Sequence, residues 1–232
     1  MRDFQSVQRV DLIKRICTNK RVLHLGCTNY PYTKEALDAG MLLHHDLERV
    51  AGELWGIDSD QRGVDALTQL GSKNIVVGDL EQIGECELET QQFDVIVAGE
   101  IIEHLNNPGL FLSGIQRYMG PETLLVITTV NAYCAMRFFY YGLRGKGGAA
   151  EPVHPDHVAY YSYRTLKVLV ERFGLDVEQF YFYDLGREHR PFSRWFLRII
   201  NDISVAIAPQ LSDGVIAVCS LSQSDPVAAS RA

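Results

Sequence analysis

The run Phe93-Asp94-Val95-Ile96-Val97-Ala98-Gly99-Glu100-Ile101-Ile102-Glu103-His104-Leu105 decides how this chain is read. Phe93 to Ala98 is an apolar strand. It leads straight into two carboxylates and an imidazole, Glu100, Glu103 and His104, spaced i, i+3 and i+4. A helical turn there would put all three side chains on one face. Acidic groups beside a histidine at the C-terminal end of a strand stand where open α/β sheets hold their ligands. The run therefore points to a site as well as to a strand.

Toward the N-terminus, Val7, Val10, Ile13, Ile16 and Cys17 recur at helical spacing, so a helical segment is expected over residues 1–20. Arg21 to Leu25 reads as a strand closed by Gly26. Helical material follows from Tyr32 to Ala51, interrupted near Gly40, and Glu53 to Ile57 is a strand ending at Asp58. Val64, Leu67 and Leu70 mark a helix with Gly71 as its C-terminal stop, and Asn74 to Val77 is a strand ending at Gly78-Asp79. Toward the C-terminus, Pro108 opens a helix running to about Met119, and Thr123 to Thr129 is a β-branched strand. An aromatic-rich helix is expected from Ala132 to Tyr141, then a glycine-rich loop or lid from Gly142 to Glu151. Ser162 caps a helix with the stripe Leu166, Leu169, Val170 and Phe173, stopped by Gly174. Leu175 to Tyr183 and Gly214 to Leu221 read as strands, with a helical segment from Arg190 to Ala208 between them. Strand alternating with helix predicts an α/β fold, a parallel sheet with helices on both faces. No repeat or linker splits the chain, so residues 1–221 are expected to form a single domain and 222–232 a flexible tail.

The 232 residues, 47% hydrophobic and 22% charged, suit one soluble domain with a full core. A net charge of -7 argues against a broad nucleic-acid footprint, so DNA is not an expected partner. The five cysteines are widely spaced with no C-x-x-C pair, which reads as reduced thiols in a cytoplasmic protein. No apolar run has the form of a signal peptide or the length of a membrane span.

Three strand ends carry a consistent message. In Val22-Leu23-His24-Leu25-Gly26-Cys27, the glycine lets a ligand approach the backbone closely. In Leu54-Trp55-Gly56-Ile57-Asp58, an acid at the strand end can accept from both hydroxyls of a ribose. In Val76-Val77-Gly78-Asp79-Leu80, an acid can accept from an adenine amine while Leu80 covers the ring. The order of these elements, from Arg21 to Thr129, resembles the class I S-adenosylmethionine-dependent methyltransferases. The resemblance implies a Rossmann-like three-layer α/β/α sandwich whose seven-stranded, mostly parallel sheet has an antiparallel last strand. It also implies S-adenosylmethionine as cofactor, held by Gly26, Cys27, Asp58, Ser59, Asp79, Leu80, Gly99 and Glu100. The family's glycine loop usually reads Asp-x-Gly-x-Gly-x-Gly; here His24 replaces the Asp, Thr28 and Tyr30 replace glycines, and only Gly26 survives. The same loss counts against a nucleotide-binding oxidoreductase, whose site needs several glycines to cradle a pyrophosphate. A catalytically silent methyltransferase-like subunit is compatible with the eroded loop.

Glu100, Glu103 and His104 admit three readings. They bind a divalent metal, magnesium, manganese or zinc, which lowers the pKa of an acceptor hydroxyl. Or His104 or His157 is a general base, with glutamates such as Glu103 orienting it. Or the glutamates merely cap a helix N-terminus. Glu-Ile-Ile-Glu-His is similar to the Glu-x-x-Glu-His element of small-RNA 2'-O-methyltransferases and ubiquinone-pathway O-methyltransferases. That resemblance implies a metal set of Glu100, Glu103, His104 and a later histidine ahead of a capped helix; His157 matches, with His154 second. His24 reads as a hydrogen-bonded core histidine, His44 and His45 as a solvated helix face.

The aromatic stretch after the fifth strand, with Tyr160, Tyr161 and Tyr163, falls in the acceptor-side cap, about 131–165 and 187–210. The expected acceptor is a small molecule or glycan precursor, methylated on oxygen; the alternative is a metal-free small-molecule N- or O-methyltransferase with a histidine base. Residues 190–208 combine arginines with Trp195, Phe196 and isoleucines. That mixture fits packing on a sheet or subunit, or contact with a membrane surface or lipid-linked acceptor.

Overall fold

The computed structural model describes residues 5–88, 92–144, 154, 156–186, 190 and 193–223. Eight strands form one sheet: β1 (Gln5–Val7), β2 (Arg21–Leu25), β3 (Glu53–Asp58), β4 (Ile75–Val77), β5 (Phe93–Gly99), β6 (Met119–Val130), β7 (Leu175–Tyr183) and β8 (Gly214–Leu221). Their order is β1-β7-β8-β6-β5-β2-β3-β4. Only β8 runs against its neighbours β6 and β7, so the last strand is antiparallel as expected.

The sandwich follows from side-chain alternation along buried strands. Leu23, Leu25, Ile96, Ala98, Leu125 and Ile127 face one side, with Phe111, Leu112 and Ile115 of α5 (Pro108–Ile115) and Leu166 and Val170 of α7 (Tyr163–Arg172). Val22, Val95, Val97 and Val126 face the other, with Leu12, Ile13 and Cys17 of α1 (Arg9–Cys17). Toward the other edge, α3 (Leu43–Glu48) packs on β3 and α4 (Gln61–Gln69) on β4, and α2 (Thr33–Asp38) joins α4 through Ala36 and Leu67. Gly71 lies just past α4 at φ +103, the left-handed stop its sequence position suggests.

Three expectations need correction. The expected N-terminal helical segment begins only at Arg9, because residues 5–7 pair in parallel with Tyr181 to Tyr183 and add an eighth strand to the expected seven. Three residues carry no usable period, and an open sheet edge overrides local preference. His44 is fully buried on α3 instead of solvated: its ring stacks on His24, with Nδ1 3.2 Å from His24 Nδ1. Each imidazole gives the other its buried hydrogen-bond partner. The turn after β5 is not a helix, as developed below.

The cap holds α6 (Ala135–Arg144) and α8 (Trp195–Ile207), which pack side by side. The expected loop or lid begins later than Gly142, since α6 runs on to Arg144; its remainder, 145–151, and the end of the tail, 224–232, lie outside the described residues. The five cysteines are free thiols. Among the described residues no helix is long and apolar enough to cross a membrane.

Candidate active site

The parallel register sets the strand tips side by side. Leu25 of β2 pairs with Ile57 of β3 and Ala98 of β5, and Asp58 pairs with Val77 of β4. The next residues, Gly26, Asp58, Gly99 and Asp79, therefore lie along one edge. The chain turns from β2 to β3 on one side and reaches β5 on the other, which makes this the switch point where open α/β sheets hold their ligands.

Gly26 sits at φ +68, and its amide donates to Ile57 O over 2.9 Å. A β-carbon there would meet Ile101 Cδ1 at 2.1 Å. The space left by the missing side chain is thus filled by the turn after β5, which packs over the turn after β2. Asp58 is buried; Oδ2 accepts the Thr28 amide at 2.8 Å and Oδ1 the Asp60 amide at 2.9 Å. Each oxygen retains a second lone pair for a hydroxyl. Asp79 is exposed, and its Oδ1 accepts the Glu81 amide at 2.8 Å, capping the 3-10 turn Leu80–Glu85. Leu80 belongs mostly to the core, at 8% exposure, so only its edge is available to a ring. Cys27 is fully buried, and burial and then the Asp58 charge push its thiol up; only its backbone can face a ligand. Ser59 is exposed beside Asp58.

The turn after β5 departs from the predicted helical face because Glu100 adopts φ +56. A non-glycine residue in the left-handed region costs free energy and is held only where its surroundings determine it. Here the Glu100 amide donates to Thr128 O at 3.0 Å. Its carboxylate accepts from the Tyr183 hydroxyl at 2.5 Å and the Thr128 hydroxyl at 3.1 Å. Burial, and then Glu100, raise Tyr183 well above the usual phenol range, so it stays a donor. Glu103 is fully buried, and neither carboxylate oxygen reaches a partner in good hydrogen-bond geometry. Burial first and Glu100 second push it up to about 8, against smaller opposing effects of Thr129 and nearby amides.

The backbone of Glu103 organises the other half of the site. Its carbonyl accepts the Val158 amide at 2.9 Å and the Ala159 amide at 3.3 Å, which stitches the segment bearing His154 and His157 onto the end of β5. The rings of His104 and His157 come to 4.7 Å, His154 and His157 to 4.9 Å, and His104 and His154 to 5.4 Å. One ligand atom from each lies within 4.8 Å of the other two, the one such group of three among the described residues. Burial, then His104 and His154, lower His157 to about 4; burial, then His154, lower His104. Both are neutral imidazoles near pH 7. His157 Nδ1 is buried with no partner, and His154 Nδ1 accepts the Asp156 amide at 3.3 Å, steadying its ring. Tyr32 and Tyr160 flank the cluster, edge-on to His154 and His157.

The expected set Glu100, Glu103, His104 and His157 is therefore not what assembles. His104 and His157 meet His154, while Glu100 is tied to Tyr183 and Glu103 is sealed in the interior. A donor set of neutral imidazoles suits zinc; magnesium and manganese prefer carboxylates and water. Several contributors carry no sequence signal of their own: Tyr183 and Thr128 lie near strand ends, and Glu81 Oε1 holds the amides of Asn106 and Asn107 at 2.6 and 3.1 Å.

Comparison with known proteins supplies a second line. A family model described as a methyltransferase domain matches residues 5–179. The ubiquinone biosynthesis O-methyltransferase of Bradyrhizobium diazoefficiens is 28% identical over 112 residues, 48% of this chain and 40% of that protein. The mitochondrial ubiquinone biosynthesis O-methyltransferase of Rattus norvegicus is 29% identical over 117 residues, 48% of this chain and 31% of that protein. The match thus spans well under half of these curated relatives. A SAM dependent methyltransferase from Archaeoglobus fulgidus superposes with a TM-score of 0.55 at 18% identity, over 91% of this chain and 94% of that one. Magnesium protoporphyrin IX methyltransferase from Synechocystis, with bound SAH, gives 0.56 at 11% identity, over 92% and 82%. These structural likenesses concern the fold.

Proposed function

This chain belongs to the methyltransferase-domain family, and from that premise we propose that it transfers the methyl group of S-adenosylmethionine to a hydroxyl of a small-molecule or glycan-precursor acceptor. The observation that carries the reading is the cluster of His104, His154 and His157 beside the tips of β2 to β5. The residues at those tips fit the cofactor. Asp58 keeps lone pairs for the ribose hydroxyls, the exposed Asp79 can accept from the adenine amine, and Gly99 and the Cys27 backbone border the switch point. S-adenosylmethionine, when bound, supplies an activated methyl group that needs no further protein nucleophile.

The protein's share is to align the acceptor oxygen, exclude water and dispose of the hydroxyl proton. The three histidines suit a zinc ion, which would lower the pKa of an acceptor hydroxyl. One observation also favours a metal-free reading: His157 is neutral at pH 7 and its buried Nδ1 lacks a partner, so it can take that proton itself. Tyr32 and Tyr160 offer aromatic faces beside the cluster for a planar acceptor.

The test has two arms. Isothermal calorimetry is expected to show S-adenosylmethionine binding, weakened at least about tenfold in Asp58→Ala, since two hydroxyl contacts are lost. Unchanged affinity in that variant would remove the assignment. Elemental analysis is expected to find zinc in the wild type and little in His154→Ala. Full O-methylation of an acceptor panel in excess chelator would transfer the proton-acceptor role to His157.

A further inference from the structure

Helix α8 is built inside out. Its buried residues are Leu197 and Asn201, and Asn201 Nδ2 donates to Asp184 Oδ1 at 2.7 Å. Its apolar side chains Trp195, Ile199, Ile203 and Ile207 follow one another at i+4 steps and are 68%, 49%, 58% and 79% exposed. Neighbouring α6 packs beside α8 and leaves Phe138 and Leu143 75% and 65% exposed. The four-residue stripe on α8 is an apolar ridge of the kind that marks an interaction surface. We propose that the ridge of α8, with α6 beside it, docks the protein peripherally on an anionic phospholipid surface.

The charges around the ridge choose the occupant. The acid on α8, Asp202, is neutralised by Arg190, whose guanidinium spans both its oxygens at 2.9 and 2.5 Å. Arg194 and Arg198 lie along the flank of the stripe and make no ion pair among the described residues. The ridge thus carries local positive charge on a chain of net charge -7, and this face is the one that approaches an anionic surface favourably. A second copy would bring the same arginines to the same boundary, where the one acid of α8, Asp202, is already held by Arg190. An amphipathic helix with aromatic and aliphatic residues on one side and arginines at its flank suits the headgroup boundary.

Helix α6, which packs beside α8, also reaches the site through its inward-facing side. Arg137 of α6 lies 5.7 Å from the Tyr160 ring, and Tyr160 is 6.1 Å from His157. Docked, the protein would present its histidine cluster to acceptors resident in the lipid, a consequence that rests on the methyl-transfer reading.

Docking itself is tested without turnover, by co-sedimentation with vesicles of phosphatidylcholine alone or mixed with phosphatidylglycerol. The full chain is expected to pellet with the anionic vesicles and to release in high salt. Of the two tryptophans, Trp55 is 6% exposed and Trp195 68%, so a blue shift in emission on docking reports α8. Ile199→Glu with Ile203→Glu should lower partitioning by on the order of a hundredfold. Arg194→Glu with Arg198→Glu should remove the preference for anionic vesicles. No pelleting on either vesicle, or pelleting untouched by the isoleucine variant, overturns the proposal. So does a concentration-dependent dimer in sedimentation velocity that Ile199→Glu abolishes, since a second copy then covers the ridge. Cofactor binding by calorimetry without lipid tests the catalytic reading separately, so either can fail alone.

Discussion

Glu103 is a carboxyl group with no exposed surface and no well-formed hydrogen bond, yet its backbone carbonyl anchors half the site. Burial lifts its pKa from 4.5 to about 8. The sign of the linkage follows. Below pH 4.5 the group is protonated folded and unfolded, and contributes nothing. Between 4.5 and about 8 the unfolded chain releases the proton while the folded one keeps it, so stability falls as pH rises, by up to about 1.4 kcal/mol per pH unit. Above about 8 the penalty is constant. Glu103→Gln keeps the shape and removes the titration. In chelator-treated protein, urea unfolding from pH 5 to 9 should show the variant gaining on the wild type through that window, then running parallel. Comparison with the variant cancels the opposite effect of the buried histidines, which lose stability as pH falls. A pH-independent difference would show that the carboxylate is ionised in the fold. At this scale Asp58 and Asp79 were legible in the sequence, because an acid directly after a strand has one place to be. The fates of Glu100 and Glu103 were not: helical spacing assumes helical backbone, and Glu100 at φ +56 breaks it.

Among the elements, α7 bears on the site although none of its side chains enters the histidine cluster. Its capping box is reciprocal: Ser162 Oγ accepts the Thr165 amide at 3.3 Å, and Thr165 Oγ1 accepts the Ser162 amide at 2.8 Å. Immediately before it, Tyr161 O accepts the Ala132 amide at 2.8 Å, and Val158 and Ala159 bind Glu103 O. The segment carrying His154 and His157 thus has two anchorages, helix cap and backbone stitch. Ser162→Ala should cost about 1 kcal/mol and lower the melting temperature by roughly 2–4 °C. Zinc uptake should persist, because the stitch to Glu103 is independent of the cap. Loss of metal at an unchanged melting temperature would mean that the cap alone sets the histidines. The capped helix, its glycine stop and the strand–helix alternation were readable because each is written within a few neighbouring residues. Strand β1 was not, since its cause is the open edge of β7, made by residues about 175 positions later. His154 was weighed only as an alternative to His157; that both meet His104 depends on a backbone pairing between segments that sequence spacing does not connect.

Across the whole molecule, a forked guanidinium ties the cap to the sheet. Arg137 of α6 donates to Asn131 O at 3.1 Å, to Asp213 O at 3.0 Å and to Asp213 Oδ1 at 2.6 Å. Asn131 Nδ2 in turn donates to Gln210 O and Ser212 O, both at 2.8 Å. The end of β6, the start of β8 and the cap helix therefore meet at one ion pair, and Arg137 also lies over Tyr160 on the way to His157. Asp213 is only 7% exposed, so removing its partner strands a charge in low dielectric. Arg137→Met should lose about 3 kcal/mol or more in chemical unfolding. Arg137→Lys should lose much of the same amount, because an ammonium cannot reproduce a forked set of three bonds. If the ion pair is the cause, Arg137→Met combined with Asp213→Asn should recover a large part of the loss, since the stranded charge is gone. Hydrogen exchange locates the effect: in Arg137→Lys, amides of 135–143 and 156–161 should exchange faster while α4, packed on β4 at the far edge of the sheet, and α5 keep their protection. Faster exchange spread evenly over all helices would make Arg137 a contributor to global stability only. It would also dissociate the cap, with its apolar ridge, from the histidine cluster it is argued to serve.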